Sequence, residues 1–182
     1  MKELEVKIMN IDPDSVRTKL KSIGAGLVKK ENQINRIFDF PDKRLLNEKG
    51  YARIRQVENL LNGTQHCYMT VKKIISQDKF KVMEENETKI SDCAEGENIL
   101  RALGLIQFSS ISRYRESYRY KKSLVEIDIN DKEFFPVPYM EIESENETEL
   151  EEIVGLLGYE MKDATSKTIF ELLEEFKAKE DR

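Results

Sequence analysis

Six short runs of this chain place two like-charged side chains at alternate positions: Glu3/Glu5, Arg53/Arg55, Glu85/Glu87, Arg113/Arg115, Glu126/Asp128 and Glu141/Glu143. Lys7 follows the first pair at the same spacing, and Lys72 stands in phase with Tyr68 and Thr70. Side chains two apart on a strand share a face about 7 Å from each other, so like charges there repel unless solvent or an opposite charge relieves them. A half-exposed antiparallel sheet usually mixes Ser, Thr, Gln and charges of both signs on its wet side. Pairs segregated by sign instead suit a polyanion bound together with a metal. Carboxylates take a hard divalent cation, while arginine and lysine take phosphate oxygens.

Such charges must be carried by strands, and the intervening residues say so. Leu4, Val6 and Ile8 alternate with the first acidic pair, and Ala52 and Ile54 with the first arginines. Met69 and Val71 flank Thr70, while Val125, Ile127 and Ile129 oppose Glu126 and Asp128, and Met140 and Ile142 oppose the last glutamates. This period of two predicts extended segments at 1–9, 27–40, 51–57, 65–73, 82–91, 107–120, 123–130 and 139–145. Only the Glu85/Glu87 strand has polar residues on both sides, Glu84 and Asn86, which leaves its register open.

Between the strands lie helix signals. Asp12-Pro13 starts one with Val16, Leu20 and Ile23 on a stripe ended by Gly24. Asp92 caps another carrying Ile99, Leu100 and Leu103, and Asn146 with Glu149 forms a capping box before Leu150, Ile153, Val154 and Leu157. A last helix is expected at 166–177, presenting Ile169, Phe170, Leu173 and Phe176. Closing the strands with charged faces inward and helices over the apolar outside gives an α+β fold: a closed antiparallel β-barrel with a charged interior. No linker interrupts the pattern, so residues 1–182 are expected to form a single domain.

With 39% hydrophobic and 36% charged residues the chain is polar but able to build a core. A net charge of −5 argues against general nucleic-acid or membrane-surface binding. The two cysteines, Cys67 and Cys93, are distant in sequence, predicting neither a disulfide framework nor a zinc site. With no signal peptide, membrane-spanning run or lipidation motif in the sequence, a soluble, reducing, cytoplasmic setting is expected. His66, beside a hairpin turn, reads as solvated, as do Lys29 and Lys30, and Tyr114, Tyr118 and Tyr120 read as strand packing. A Gly-rich phosphate loop and a Ser/His/Asp arrangement are both missing from the sequence.

Taken in order, these runs resemble the CYTH proteins, also called triphosphate tunnel metalloenzymes. Glu3-Leu4-Glu5-Val6-Lys7 is similar to that family's N-terminal Glu-x-Glu-x-Lys signature. Phe38-Asp39-x-Pro41-Asp42, Arg53-x-Arg55, Thr70-x-Lys72, Glu85-x-Glu87, Arg113-x-Arg115, Asp128 and Glu141-x-Glu143 follow in the family's order, over about residues 1–145. Asn35 and Ile37 depart from a frequent Asp and Tyr, Met83 from a frequent basic residue, and Thr168-Ile169 from a frequent Ser-Tyr. The resemblance implies a β-tunnel in which Lys7, Arg53, Arg55, Lys72, Arg113 and Arg115 bind a triphosphate. It implies that Glu3, Glu5, Asp128, Glu141 and Glu143 hold Mg²⁺ or Mn²⁺, with Glu85, Glu87 and Glu126 tying the basic residues in place. Lys7 would orient the attacking water with Glu3 and Glu5 nearby, although acting as a base requires a strongly depressed pKa. The implied partner is a small-molecule triphosphate (inorganic triphosphate, thiamine triphosphate or a nucleoside triphosphate), with hydrolysis preferred. Class IV adenylyl cyclase and a non-catalytic polyphosphate or nucleotide binder stand as alternatives. The oligomeric state is left open, a homodimer included.

Overall fold

The strand expected at the start of the chain is β1 (Lys2–Met9), and its two edges close the molecule into a barrel. The computed structural model describes residues 2–180, with side chains from 4 to 178. In chain order follow α1 (Pro13–Ser22), β2 (Gly26–Asp39), α2 (Arg44–Asn47), β3 (Tyr51–Asn59), β4 (Gln65–Gln77), β5 (Lys81–Ile90), α3 (Cys93–Ala102), β6 (Ile106–Tyr120), β7 (Ser123–Asn130), β8 (Tyr139–Ser144), α4 (Glu147–Leu156), β9 (Ala164–Thr165) and α5 (Ile169–Glu180). The strands run β5-β4-β3-β2-β6-β7-β8-β1, every pair antiparallel, and β5 returns to β1 through Lys2–Glu5. Eight strands thus form a closed barrel, which leaves no long unpaired edge. The short β9 takes the remaining edge of β1 at Lys7 and Ile8.

The apolar faces turn outward under the helices, as alternation requires. Val6, Ile8, Val125, Ile127, Met140 and Ile142 meet Val16 and Leu20 of α1 and Leu150, Ile153, Val154 and Leu157 of α4, and none is more than 2% exposed. Each such aliphatic side chain contributes about 1.5–3 kcal/mol on burial. A second core, Phe38, Ala52, Ile54 and Cys67, lies under Leu100 of α3. That helix does not bury the stripe expected of it, since Ile99 and Leu103 are 52% and 65% exposed. Its buried face runs through Gly96 and Leu100, because a residue without Cβ lets the helix settle directly onto Ile54 and Ile90.

Three further departures have local causes. The buried Asp39 carboxylate accepts the backbone N–H groups of Phe40, Leu45 and Leu46 at 2.6, 3.1 and 2.8 Å, nucleating α2 between the segments expected at 27–40 and 51–57, where no helix is expected. The last helix begins at Ile169 and not at Ser166. Thr168 and Glu171 exchange side chain to backbone hydrogen bonds of 2.8 and 3.2 Å, while the Ser166 hydroxyl donates to the carbonyl of Asp78. Cys67 and Cys93 form a disulfide, which overturns the expectation of unpaired cysteines. Antiparallel pairing sets Cys67 opposite Ile90, three residues before Cys93, so the 26-residue separation collapses to a Cα–Cα distance of 5.6 Å. No helix among the described residues is long and apolar enough to cross a membrane.

Candidate functional site

The inward positions enclose a cavity of about 720 Å³ lined by charge from both halves of the barrel. Strand register decides who faces whom. Lys81, Glu5 and Glu143 lie in one row across β5, β1 and β8. Lys7, Glu141 and Glu126 lie in the next, across β1, β8 and β7. Arg53, Thr70 and Glu87 form a row on the opposite side, with Lys72 beside Glu85.

The β5 register left open by the sequence puts Glu85 and Glu87 inward. Glu85 pairs with Lys72 at 2.6 Å and Arg53 at 3.4 Å. Glu87 accepts from Arg55 at 2.6 Å, from Arg53 at 3.3 Å and from the Thr70 hydroxyl at 2.6 Å. Both glutamates therefore hold the basic wall. Burial pushes Lys72 down, but the Tyr51 and Glu85 groups outweigh it and hold its ammonium above the ordinary lysine value.

Arg113 and Arg115 converge on Asp128, which is fully buried. Arg115 donates from Nε at 2.6 Å and Arg113 from Nη1 at 2.9 Å, while Gln33 accepts from Arg113 at 2.7 Å. Arg115 also reaches Glu141 at 2.7 Å and pairs with Glu126. Asp128 is thus absorbed by two guanidinium groups, and the carboxylates that converge elsewhere are Glu126, Glu141 and Glu143, whose oxygens lie within 4.8 Å of one another. Burial opposes ionisation of Glu141, but Lys7 and the arginines hold its pKa well below the usual carboxylate range. Glu143 has no cation partner among the described residues. Burial, together with the charges of Glu126, Glu5 and Glu141, pushes its pKa well above the usual range.

An uncompensated carboxylate beside two others, all oxygen donors, is the environment a hard divalent cation fits. Glu143, Glu141 and Glu126 supply that set, with Glu5 directly across the sheet from Glu143. The side chain of Glu3 lies outside the described residues.

Lys7 is buried between Glu5, with which it pairs, and Glu141 at 3.0 Å. Burial pushes its ammonium down, but Glu141 and Glu5 prevail and raise its pKa well above that of an ordinary lysine. That charge state opposes a role as a base and suits a phosphate ligand. Lys81, which the sequence pattern missed, donates to Glu5 at 2.6 Å, and burial and the neighbouring Lys7 pull it down to about 8. Starting the strand at Lys81 instead of Val82 would have placed it in phase with Glu85 and Glu87. Tyr139 is a further buried group lining the cavity without a charge signature, while the buried Gln33 and Asn35 line smaller neighbouring pockets.

Helix α5 lies across one side of the cavity, with Phe170 against Tyr51, Phe108 and Phe134 at ring separations of 6.1–6.2 Å. Glu171 anchors this helix to Lys49 and Gln77 at 2.9 Å each. Lys29 lines the cavity at an exposed position, consistent with the solvated reading of that residue.

Comparison with solved structures returns the same architecture. The PH1012 protein of Pyrococcus horikoshii OT3 is 22% identical with a TM-score of 0.76, covering 93% of this chain and 98% of its own. A candidate adenylate cyclase of Vibrio parahaemolyticus is 15% identical with a TM-score of 0.74, covering 94% and 97%. HpAC1 of Hippeastrum, a candidate adenylyl cyclase with a dominant triphosphatase activity, is 16% identical with a TM-score of 0.69, covering 95% of each chain. No curated protein matches the sequence. The sequence profile of the CYTH domain matches residues 1–169, and the chain belongs to the CYTH domain family.

Proposed function

We propose that this protein hydrolyses a triphosphate-bearing small molecule in a divalent-metal-dependent reaction inside the barrel. The observation that carries this reading is the division of one barrel cavity into an arginine-rich wall and a carboxylate group whose member Glu143 lacks a cation among the described residues. A simple polyanion binder gains nothing from three converging carboxylates beside its phosphates.

Phosphoryl transfer asks the protein chiefly for positioning and charge stabilisation. Arg53, Arg55, Arg113 and Arg115 present planar donors to phosphate oxygens, while Lys7 and Lys72 contribute compact charges. Glu85, Glu87 and Asp128 fix those cations before substrate arrives, which lowers the reorganisation needed on binding. Glu5, Glu126, Glu141 and Glu143 would hold Mg²⁺ or Mn²⁺, which neutralises phosphate charge and lowers the pKa of a bound water. Lys7, held protonated by Glu5 and Glu141, orients a phosphate oxygen and is not the proton acceptor.

Hydrolysis is favoured over cyclisation because water is its only co-reactant, whereas cyclisation also requires a seat for ribose and base. The test incubates the pure protein with inorganic triphosphate, thiamine triphosphate or ATP, with Mg²⁺ or Mn²⁺, and separates the products. Release of orthophosphate that stops in excess chelator is expected. Cyclic AMP with pyrophosphate would replace hydrolysis by cyclisation, and triphosphate binding without any product would leave a binder.

A further inference from the structure

Lys81 occupies an unusual place among the tunnel cations. It is the register partner of Glu5 where β5 closes the barrel onto β1, and its Nζ lies 2.6 Å from Glu5 Oε1, with both side chains less than 10% exposed. The same carboxylate oxygen also pairs with Lys7. Lys7 has a second partner in Glu141 at 3.0 Å, whereas Lys81 has no other carboxylate within ion-pair distance among the described residues. On its other side Glu5 faces Glu143, the carboxylate without a cation. One carboxylate oxygen therefore holds two ammonium groups while its neighbour holds none.

We propose that Lys81 is the resident counter-ion of the acidic sector: it competes with a divalent cation for Glu5 and, once displaced, turns to the bound triphosphate. This rests on the tunnel reading above and adds a positioning residue to it. A buried ammonium deprived of its carboxylate is strongly disfavoured. Metal binding in the empty tunnel must therefore work against Lys81. Phosphate oxygens in the cavity give the displaced ammonium a new partner. Each ligand then favours the other, and by linkage the coupling is reciprocal. Lys7 is not equivalent, because it has two carboxylate partners, Glu5 and Glu141, where Lys81 has Glu5 alone among the described residues.

The test compares wild type with K81M, which keeps most of the side-chain volume without the charge, and with K81R. Mn²⁺ alone is titrated into each metal-free protein and free Mn²⁺ is followed by electron paramagnetic resonance. Separately, inorganic tripolyphosphate in excess chelator is titrated by calorimetry. K81M should bind Mn²⁺ at least tenfold more tightly than wild type and K81R like wild type. Tripolyphosphate affinity in chelator should change by less than about threefold, because Lys81 then remains on Glu5. Equal or weaker Mn²⁺ binding by K81M overturns the proposal. So does a large loss of tripolyphosphate in chelator, which would make Lys81 an ordinary phosphate ligand. K81Q provides the same measurement if circular dichroism shows K81M unfolded. A wild-type protein that binds neither Mn²⁺ nor tripolyphosphate defeats the tunnel reading itself, a result distinct from a wild type that binds both with K81M unchanged.

Discussion

Two arginines on the same cavity should respond to removal in opposite ways, and the contrast separates groups that hold the barrel together from groups held ready for ligand. Arg115 meets Asp128, Glu141 and Glu126, all buried. Arg115→Met removes a cation shared by three carboxylates and leaves Glu126 with none among the described residues, and breaking a buried ion pair from one side costs about 3–5 kcal/mol. In a chain of this size 1 kcal/mol moves Tm by about 2–4 °C, so a fall of about 6–20 °C is expected. Arg55 is different. Its one carboxylate partner among the described residues, Glu87, keeps Arg53 and Thr70 without it, and the Arg55 Nε has no hydrogen-bond partner among them. Burial, and after it the charge of Arg53, press its guanidinium below the ordinary arginine pKa. Replacing such a poorly compensated buried charge by an apolar group of similar volume is often neutral, so Arg55→Met should leave the ligand-free protein within about 1 kcal/mol of wild type.

Ligand reverses the ranking. A preorganised cation on a substrate's charge contributes about 2–4 kcal/mol, so Arg55→Met should weaken tripolyphosphate binding roughly 30- to 900-fold. At a hundredfold excess over its Kd the ligand stabilises wild type by about 2.7 kcal/mol, or about 5–11 °C. At that same concentration a 30-fold weaker variant retains only about 0.9 kcal/mol. Thermal melts with and without tripolyphosphate read both quantities. The reasoning fails if Arg55→Met melts as far below wild type as Arg115→Met, or if it keeps the full ligand-induced shift.

Glu143→Gln removes a carboxylate repelled by Glu126, Glu5 and Glu141. The metal-free protein should melt no lower than wild type, while calorimetric Mn²⁺ affinity falls at least tenfold; unchanged affinity would remove Glu143 from the metal site. The anchor of α5 should be acid-sensitive. Burial pushes the Glu171 carboxyl up, but hydrogen bonds from Lys49, Gln77 and Thr168 outweigh it and hold it at about 2. A depressed carboxyl contributes stability that is complete above its unfolded value near 4.5 and lost as pH falls through 2. Hydrogen-exchange protection of 169–178 should therefore decline over that window in wild type and be lower and less pH-dependent in Glu171→Gln; matching profiles would exclude the anchor. The Cys67–Cys93 bridge closes 26 residues, a loop whose constraint is worth about 3.5 kcal/mol in the unfolded chain. Cys93→Ser should lower Tm, wild type in reductant should match it, and free thiols by mass spectrometry of the untreated protein would rule the bridge out.

Much of this architecture is legible in the sequence because period-two alternation of charge with Val, Ile, Met and Leu admits one folding of the faces. Apolar positions such as Val125, Ile127, Met140 and Ile142 must be covered, and their alternates must then point into the closed barrel. What alternation cannot supply is register. Parity marks Glu126, Asp128, Glu141 and Glu143 as inward alike, yet only pairing across β6, β7 and β8 sets Asp128 beside Arg115 and Glu126 beside Glu141. That one choice sets two arginines on Asp128 and leaves Glu143 without a cation among the described residues, which is why the metal group proposed above includes Glu126. The same dependence hid the disulfide, a product of where β5 pairs, whereas Lys81 was hidden by a strand boundary expected one residue too late. Parity thus says which charges share the cavity, whereas register says which of them are already satisfied. Glu143, which has no cation partner among the described residues, and Arg55, whose Nε has no hydrogen-bond partner among them, are where ligands should bind.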